Sequence, residues 1–392
     1  MNTQNTEVHI KLWHRDFWLM AIANLLLTMS AYSLVPVLPS WFRTSYPEQT
    51  PLLTGLVMSV FGVGMFVFGP LCSYLVQRYR RNHVCIYALL CVAFCSAILW
   101  YTEQESIRIG IIELLTLRLL QGALFGLAKM VLTSTLIIDT CESFKRTEAN
   151  HSSAWFGRFA VSLGPMFGLL VYQLMGAEET FALSAILSIL SVVLVAIVRF
   201  PFRSPSEDVK LFSLDRFFLP RGFILFLHLS LITMIVGLVF SLSLPYHFYG
   251  LLMAGFMLAL MAQRFAFRNA ELKSEVVTGL LLMLAGLLVC MIHVRTTDFY
   301  LFPVLFGMGL GIATPRFLLF FIKLSRHCQR GTSQSTNLLG WETGMALGLF
   351  VGLSFFSTTP HLLLVLAVAI DILALLLYVS YTHQWFVKNK NR

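Results

Sequence analysis

Apolar stretches of about twenty residues recur along the whole chain, separated by short polar breaks. This repetition narrows the possible folds more than any other feature. A helix rising about 1.5 Å per residue needs about 20 apolar residues to cross a hydrocarbon slab roughly 30 Å thick. In lipid the backbone must satisfy its own hydrogen bonds, which leaves helices and closed barrels. The spans expected here are 17–38, 53–76, 83–101, 110–137, 151–174, 180–200, 223–244, 248–265, 276–295, 300–323, 334–356 and 361–382. They predict an all-α polytopic membrane protein with twelve transmembrane helices. These spans consume most of the 392 residues, and only 12% of the chain is charged, against roughly 25% in soluble domains. No sizeable soluble domain is expected.

The longest polar stretch runs from Phe202 to Pro220 and includes Arg203, Ser204, Pro205, Ser206, Glu207, Asp208 and Lys210. It divides the chain into residues 1–201, a six-helix bundle, a linker at 202–222, and a second six-helix bundle at 223–392. If the amino terminus is cytoplasmic, only Arg43, Arg108 and Arg295 of the 28 Lys and Arg fall outside. Arg118, Lys129, Arg158 and Arg316 fall within spans, and all the others face the cytoplasm. That asymmetry obeys the positive-inside rule, so both termini are expected to be cytoplasmic. The +9 charge is then topological and implies no nucleic-acid partner. The run from Phe17 is read as a retained first span. The seven cysteines show no metal-ligand spacing, and no metal or cofactor is implied.

Segments also repeat at a nearly constant offset. Gln77-Arg78-Tyr79 recurs as Gln263-Arg264-Phe265, Arg146 as Arg330, and Gly164 as Gly348, at shifts of 184–186 residues. Internal repeats of this kind let two similar bundles rock about a midplane site.

Three segments resemble signature motifs of the major facilitator superfamily. Arg118-Leu-Leu-Gln121-Gly122 resembles its RxxQG motif, with Asp139 where an acidic residue usually ends that helix. Gly164-Pro165-Met-Phe-Gly168 is similar to the GPxxG core associated with exporters and antiporters, although Ala160 and Leu169 replace its outer glycines. Ser73 to Arg81 resembles the GxLxDRxGRR loop, with Gln77 in place of the Asp and Arg80 in place of the second Gly, while Arg78 and Arg81 keep its basic character. The resemblance covers the whole chain. It implies a bacterial inner-membrane transporter of the twelve-helix type, two pseudo-symmetric bundles, alternating access and a monomer. Gln77, Arg78, Arg81, Asp139, Gly164, Pro165 and Gly168 become gating candidates.

An ionisable side chain at mid-bilayer needs a partner, a watery cavity or a function. At roughly 100° per residue, Arg118, Gln121, Gly122, Phe125 and Lys129 share one face of the fourth span. That face is expected to line an interior cavity, unless Arg118 braces helix ends and Lys129 snorkels. Arg316 follows Pro315 in the tenth span, near the repeat counterpart of Lys129, and two such cations suit an anionic group. Alternatively, Arg316 neutralises an acidic neighbour. Arg158 and Glu342 are 184 residues apart and are expected to form or exchange an ion pair, with Glu342 taking up a proton during transport; a static bridge is the alternative. Asp371 could share the coupling role or be paired structurally. Asn24, Thr28 and Tyr32 follow i, i+4, i+8 spacing on the first span and could bond a ligand or glue helices.

No HExxH, GxSxG or GxGD motif is present, which speaks against an intramembrane enzyme. The expected function is secondary transport, with proton-coupled efflux of a small anionic or zwitterionic solute preferred. Proton-coupled uptake, export of lipophilic cations, and a transporter-like receptor or assembly factor are the alternatives.

Overall fold

The computed structural model describes residues 11–200, 209–292, 300–326 and 329–391. The linker residues Arg203 to Asp208, together with Arg295 and Cys328, lie outside the described residues. Among the described residues there is no strand. Eleven helices are long and apolar enough to cross a membrane: α2 (Pro51–Arg78), α3 (Arg81–Gln104), α4 (Ile111–Asp139), α5 (Arg146–Met175), α6 (Ala177–Ile197), α7 (Pro220–Phe240), α8 (Tyr246–Phe265), α9 (Leu272–Ile292), α10 (Leu301–Leu324), α11 (Arg330–Phe355) and α12 (Pro360–Asn389). With α1 (Arg15–Tyr32) ahead of them, the described residues hold the twelve long helices of two six-helix bundles.

Several boundaries differ from the sequence reading, each for a local reason. The first span ends at Tyr32, short of residue 38, and after a turn a separate short helix, Leu38–Ser45, takes over. Pro36 lies in that turn and Pro39 in the first turn of the short helix, where neither can donate a backbone bond to a continuing helix. Helix α2 breaks after Gly64 and resumes at Cys72, past Pro70. In α4, residues Leu132–Leu136 adopt a π-helical turn. There Thr133, Ser134 and Thr135 donate their hydroxyls to the carbonyls of Lys129, Met130 and Val131. Such back-bonding bends helices. Helix α5 starts earlier than expected and ends where Gly176 takes φ +110°. That conformation is open to glycine and closed to a residue with a Cβ.

The two bundles repeat one packing scheme. In the first, α1 packs on α5 and α6, α2 on α4, and α3 on α4 and α6; in the second, α7 packs on α11 and α12, α8 on α10, and α9 on α10 and α12. Across the bundles, α2 meets α11 and α5 meets α8. Small residues permit the closest approaches, because in lipid there is no hydrophobic drive to press helices together. A Cβ on Gly164 of α5 would lie 2.9 Å from the Tyr32 Cβ and 3.1 Å from the Met29 carbonyl of α1, and one on Gly348 of α11 would overlap the Met234 carbonyl of α7. The repeat of Gly164 as Gly348 therefore marks equivalent helix contacts. The end of the molecule carrying Arg15 and Asn389 is called the terminal face below.

Candidate functional site

Four helices enclose a cavity of about 70 Å³ at the junction of the bundles. Helix α1 contributes Asn24, Thr28 and Tyr32, one face at four-residue spacing; α4 contributes Lys129 and Thr133. Gly157 and Arg158 come from α5, and Gln334, Asn337, Trp341 and Glu342 from α11. All three charged groups are buried.

Each polar group is held in place. Asn24 Nδ2 donates to the Ser153 carbonyl at 2.9 Å, which ties α1 to α5. Lys129 donates to Thr28, whose hydroxyl donates in turn to the Asn24 carbonyl at 2.6 Å. Gly157 leaves space beside them: a Cβ there would lie 3.5 Å from Lys129 Nζ. Arg158 Nε donates to Thr314 Oγ1 of α10 at 3.2 Å, and its guanidinium sits 5.3 Å from the Trp155 ring centre. Its Nη1 is buried without a hydrogen-bond partner among the described residues.

The contact between bundles is concentrated at Glu342. The Tyr32 hydroxyl lies 3.2 Å from both carboxylate oxygens and accepts a 2.7 Å bond from the Trp341 indole N–H. Glu342 also interacts electrostatically with Lys129. Tyr32 and Glu342 line a second cavity, about 30 Å³, together with Arg118 and the α2 residues Met58 and Phe61. The Tyr32–Glu342 contact thus stands between two cavities.

The residues singled out in the sequence divide among several places. Lys129, Asn24, Tyr32, Arg158 and Glu342 come together, but Arg158 and Glu342 make no ion pair among the described residues: Arg158 bonds Thr314 and Glu342 bonds Tyr32. Four residues of the α4 stripe turn away from the central cavity. Arg118 donates to Gln121 and lies 4.9 Å from the Phe61 ring centre, while Gln121 donates to Ser96 of α3 at 3.0 Å. Gly122 abuts the Phe61 backbone of α2, and Phe125 packs on the Phe61 ring at 5.3 Å.

Arg316 is not in the cavity either. Its Nε donates to Glu275 Oε2 at 2.6 Å, in a separate pocket with Arg264 and Arg268. The expected ninth span began at Val276, one residue past the partner that claims this cation. Asp371 is buried in α12, and neither carboxylate oxygen has a hydrogen-bond partner among the described residues.

Among the gating candidates, Arg81 pairs with Asp139, Arg78 is exposed, and Gln77 Nε2 donates to Ser73 Oγ at 2.8 Å. Gly164 and Gly168 pack against Tyr32 and Ser33, with Pro165 buried between them. Thr133, Gln334, Asn337 and Trp341 also line the cavity, outside the candidates drawn from the sequence. The last three recur at three- and four-residue spacing beside Glu342, a helical-face signal that could have found them.

Comparison with known proteins supplies the family. Residues 20–348 match the family model of the Major Facilitator Superfamily. Similar solved structures include a D-xylose–proton symporter (TM-score 0.73, 14% identity, covering 93% of this chain and 97% of that one). Others are the POT family transporter PepTSo (0.70, 12%, 96% and 99%) and the human organic anion transporter MFSD10 (0.68, 17%, 92% and 98%). No curated protein matches the sequence. At these identities the structures share the fold, and the family match spans most of the chain: the protein belongs to the major facilitator superfamily and is a transporter, not an enzyme.

Proposed function

We propose that this transporter exports a small anionic or zwitterionic solute in exchange for protons, with Glu342 as the coupling acid. Units 1–201 and 223–392, joined by the linker 202–222, rock about the central cavity. The terminal face is cytoplasmic in a bacterial inner membrane, as the distribution of Lys and Arg favours, and the protein acts as a monomer.

One observation carries the reading. Glu342 is a buried carboxylate on one bundle, bonded to Tyr32 of the other and facing Lys129 across the cavity. Ionised, it attracts both groups and holds the bundles together at mid-membrane. Once protonated, it loses that attraction, so proton uptake and bundle separation favour one another. Lys129 and Arg158 supply the positive field that favours an anionic group on the solute. The Gly164-Pro165 segment, packed on α1, supports export through its likeness to exporter motifs.

The test is proton movement in proteoliposomes during solute transport, with wild type and Glu342→Gln compared over organic anions, zwitterions and lipophilic cations. Solute-driven proton flux that the variant loses supports the proposal. Solute flux indifferent to both the proton gradient and the substitution refutes it.

A further inference from the structure

We infer that the solute is a compact zwitterion of the amino-acid type, its carboxylate held by Arg158 and Lys129 and its ammonium by Glu342. This rests on the reading that the central cavity is the transport site.

The argument is a count of hydrogen-bond capacity. On the donor side, Arg158 Nη1 is buried without a partner among the described residues, and Lys129 spends one bond on Thr28, leaving two of its three N–H groups. The acceptor side is richer. Asn24 Oδ1, Gln334 Oε1 and Asn337 Oδ1 are all buried and have no hydrogen-bond partner among the described residues. The Asn24 amide is oriented by its bond to the Ser153 carbonyl, so its oxygen stays an acceptor. Glu342 offers about four lone-pair sites, and the Tyr32 hydroxyl has a single proton to give.

A plain organic anion brings acceptors only. It would satisfy Arg158 and Lys129, leave the amide oxygens orphaned and face the Glu342 carboxylate with like charge. A lipophilic cation fails in the opposite sense, because it brings a further positive charge, and no acceptor for Arg158, to a low-dielectric site where two cations already face one carboxylate. A carboxylate and an ammonium in one molecule answer both sets of groups. The cavity of about 70 Å³ demands that the two charges lie close together.

The charges are also divided between the bundles. Lys129 and Arg158 belong to the first and Glu342 to the second. A bound zwitterion therefore bridges the halves, and full binding is available only when both face the cavity. Ala154, Val161 and Leu338 complete the wall and give a small apolar surface to the solute's side chain.

The experiment uses purified full-length protein. Thermal shift and counterflow in proteoliposomes are measured for the twenty standard amino acids. Each is paired with the carboxylic acid lacking its amine and the amine lacking its carboxylate. At least one amino acid should raise Tm and drive counterflow, with both single-charge partners weaker by about tenfold or more, since each loses a charge-assisted contact. Glu342→Gln should erase the advantage over the carboxylic acid, and Arg158→Gln the advantage over the amine, whereas Arg158→Lys retains part of it. Each variant's ligand-free Tm reports its folding. A carboxylic acid or amine that matches its amino acid overturns the inference, as does a panel in which no amino acid binds. Selective amino-acid counterflow without proton movement would refute the coupling reading and leave this inference standing.

Discussion

Glu275→Gln should destabilise the protein without touching its solute preference. The Glu275 side chain is 2% exposed and that of Arg316 is 16% exposed. An exposed ion pair contributes about 0–1 kcal/mol, whereas removing one partner of a buried pair costs about 3–5 kcal/mol because the other charge is stranded. This pair lies toward the buried limit, but the adjoining pocket of about 740 Å³ gives Arg316 access to water. A cost of about 3 kcal/mol follows. For units of 150–250 residues, each kcal/mol moves Tm by roughly 2–4 °C, so the variant should melt roughly 6–12 °C below wild type. Arg316→Met should fall similarly. The double variant Glu275→Leu/Arg316→Met should recover much of the loss, since apolar replacement of both partners is often neutral or better. Differential scanning fluorimetry supplies the melting temperatures, and ligand-induced shifts supply binding. If Glu275→Gln melts like wild type while Arg316→Gln abolishes solute binding, then Arg316 serves the solute and the bracing role is wrong.

Gly168→Val should push α5 off α1, because even a Cβ there overlaps the Ser33 carbonyl; a loss of about 1–3 kcal/mol, read as Tm, is expected, and unchanged stability would contradict the packing. Asp371→Leu should raise stability by about 1–3 kcal/mol, since it removes a buried carboxylate with no hydrogen-bond partner among the described residues. A fall in Tm would show that the acid has a stabilising role. Phe217→Ala should expose the terminal face, measured as faster labelling of an engineered Thr133→Cys by a membrane-impermeant maleimide. Equal labelling rates would mean that the linker does not hold that face shut.

The fold was legible because the bilayer is a demanding solvent. Span length and the 184-residue glycine offset both follow from crossing it twelve times with two copies of one bundle. The site was only half legible. On α4, Arg118, Gln121, Gly122, Phe125 and Lys129 occupy an arc of roughly 100°, wide enough to face α2, α3 and the cavity at once. Periodicity finds such an arc but cannot apportion it among neighbours, so Lys129 reached the cavity and the others did not. Arg316 follows the alternative reading, a cation that neutralises an acidic neighbour, and the neighbour stayed hidden because Glu275 lies one residue outside its expected span. Arg158 and Glu342 share a cavity, yet each bonds a neutral hydroxyl that no charge pattern reveals: Thr314 for one, Tyr32 for the other.

The loop after α2 departs from the motif at Gln77, and an acid from another part of the chain lies beside it. Gln77 carries no charge, and it spends its amide on Ser73. The acid at this junction comes from the linker: Asp215 accepts from Ser73 of α2 at 3.3 Å and from Thr332 of α11 at 3.2 Å. Thr332 lies in the first turn of α11, where unpaired N–H groups favour a nearby negative charge. The linker is fastened on both sides. Ser213 N donates to the Pro70 carbonyl at 3.0 Å, while the backbone N–H groups of Arg216 and Leu219 donate to the hydroxyls of Thr332 and Thr336. The Phe217 ring fills the space that a side chain at Gly69 would need. If the bundles part here with the linker kept on α11, two hydrogen bonds to α2 break, at about 0.5–1.5 kcal/mol each. The buried Phe217 ring is also uncovered, at about 1.5–3 kcal/mol. Opening this face therefore costs roughly 2.5–6 kcal/mol from the linker alone. That is comparable to the roughly 5.5 kcal/mol that takes a two-state equilibrium from 1:99 to 99:1, so a segment outside every spanning helix carries a cost large enough to set which face the transporter shows at rest.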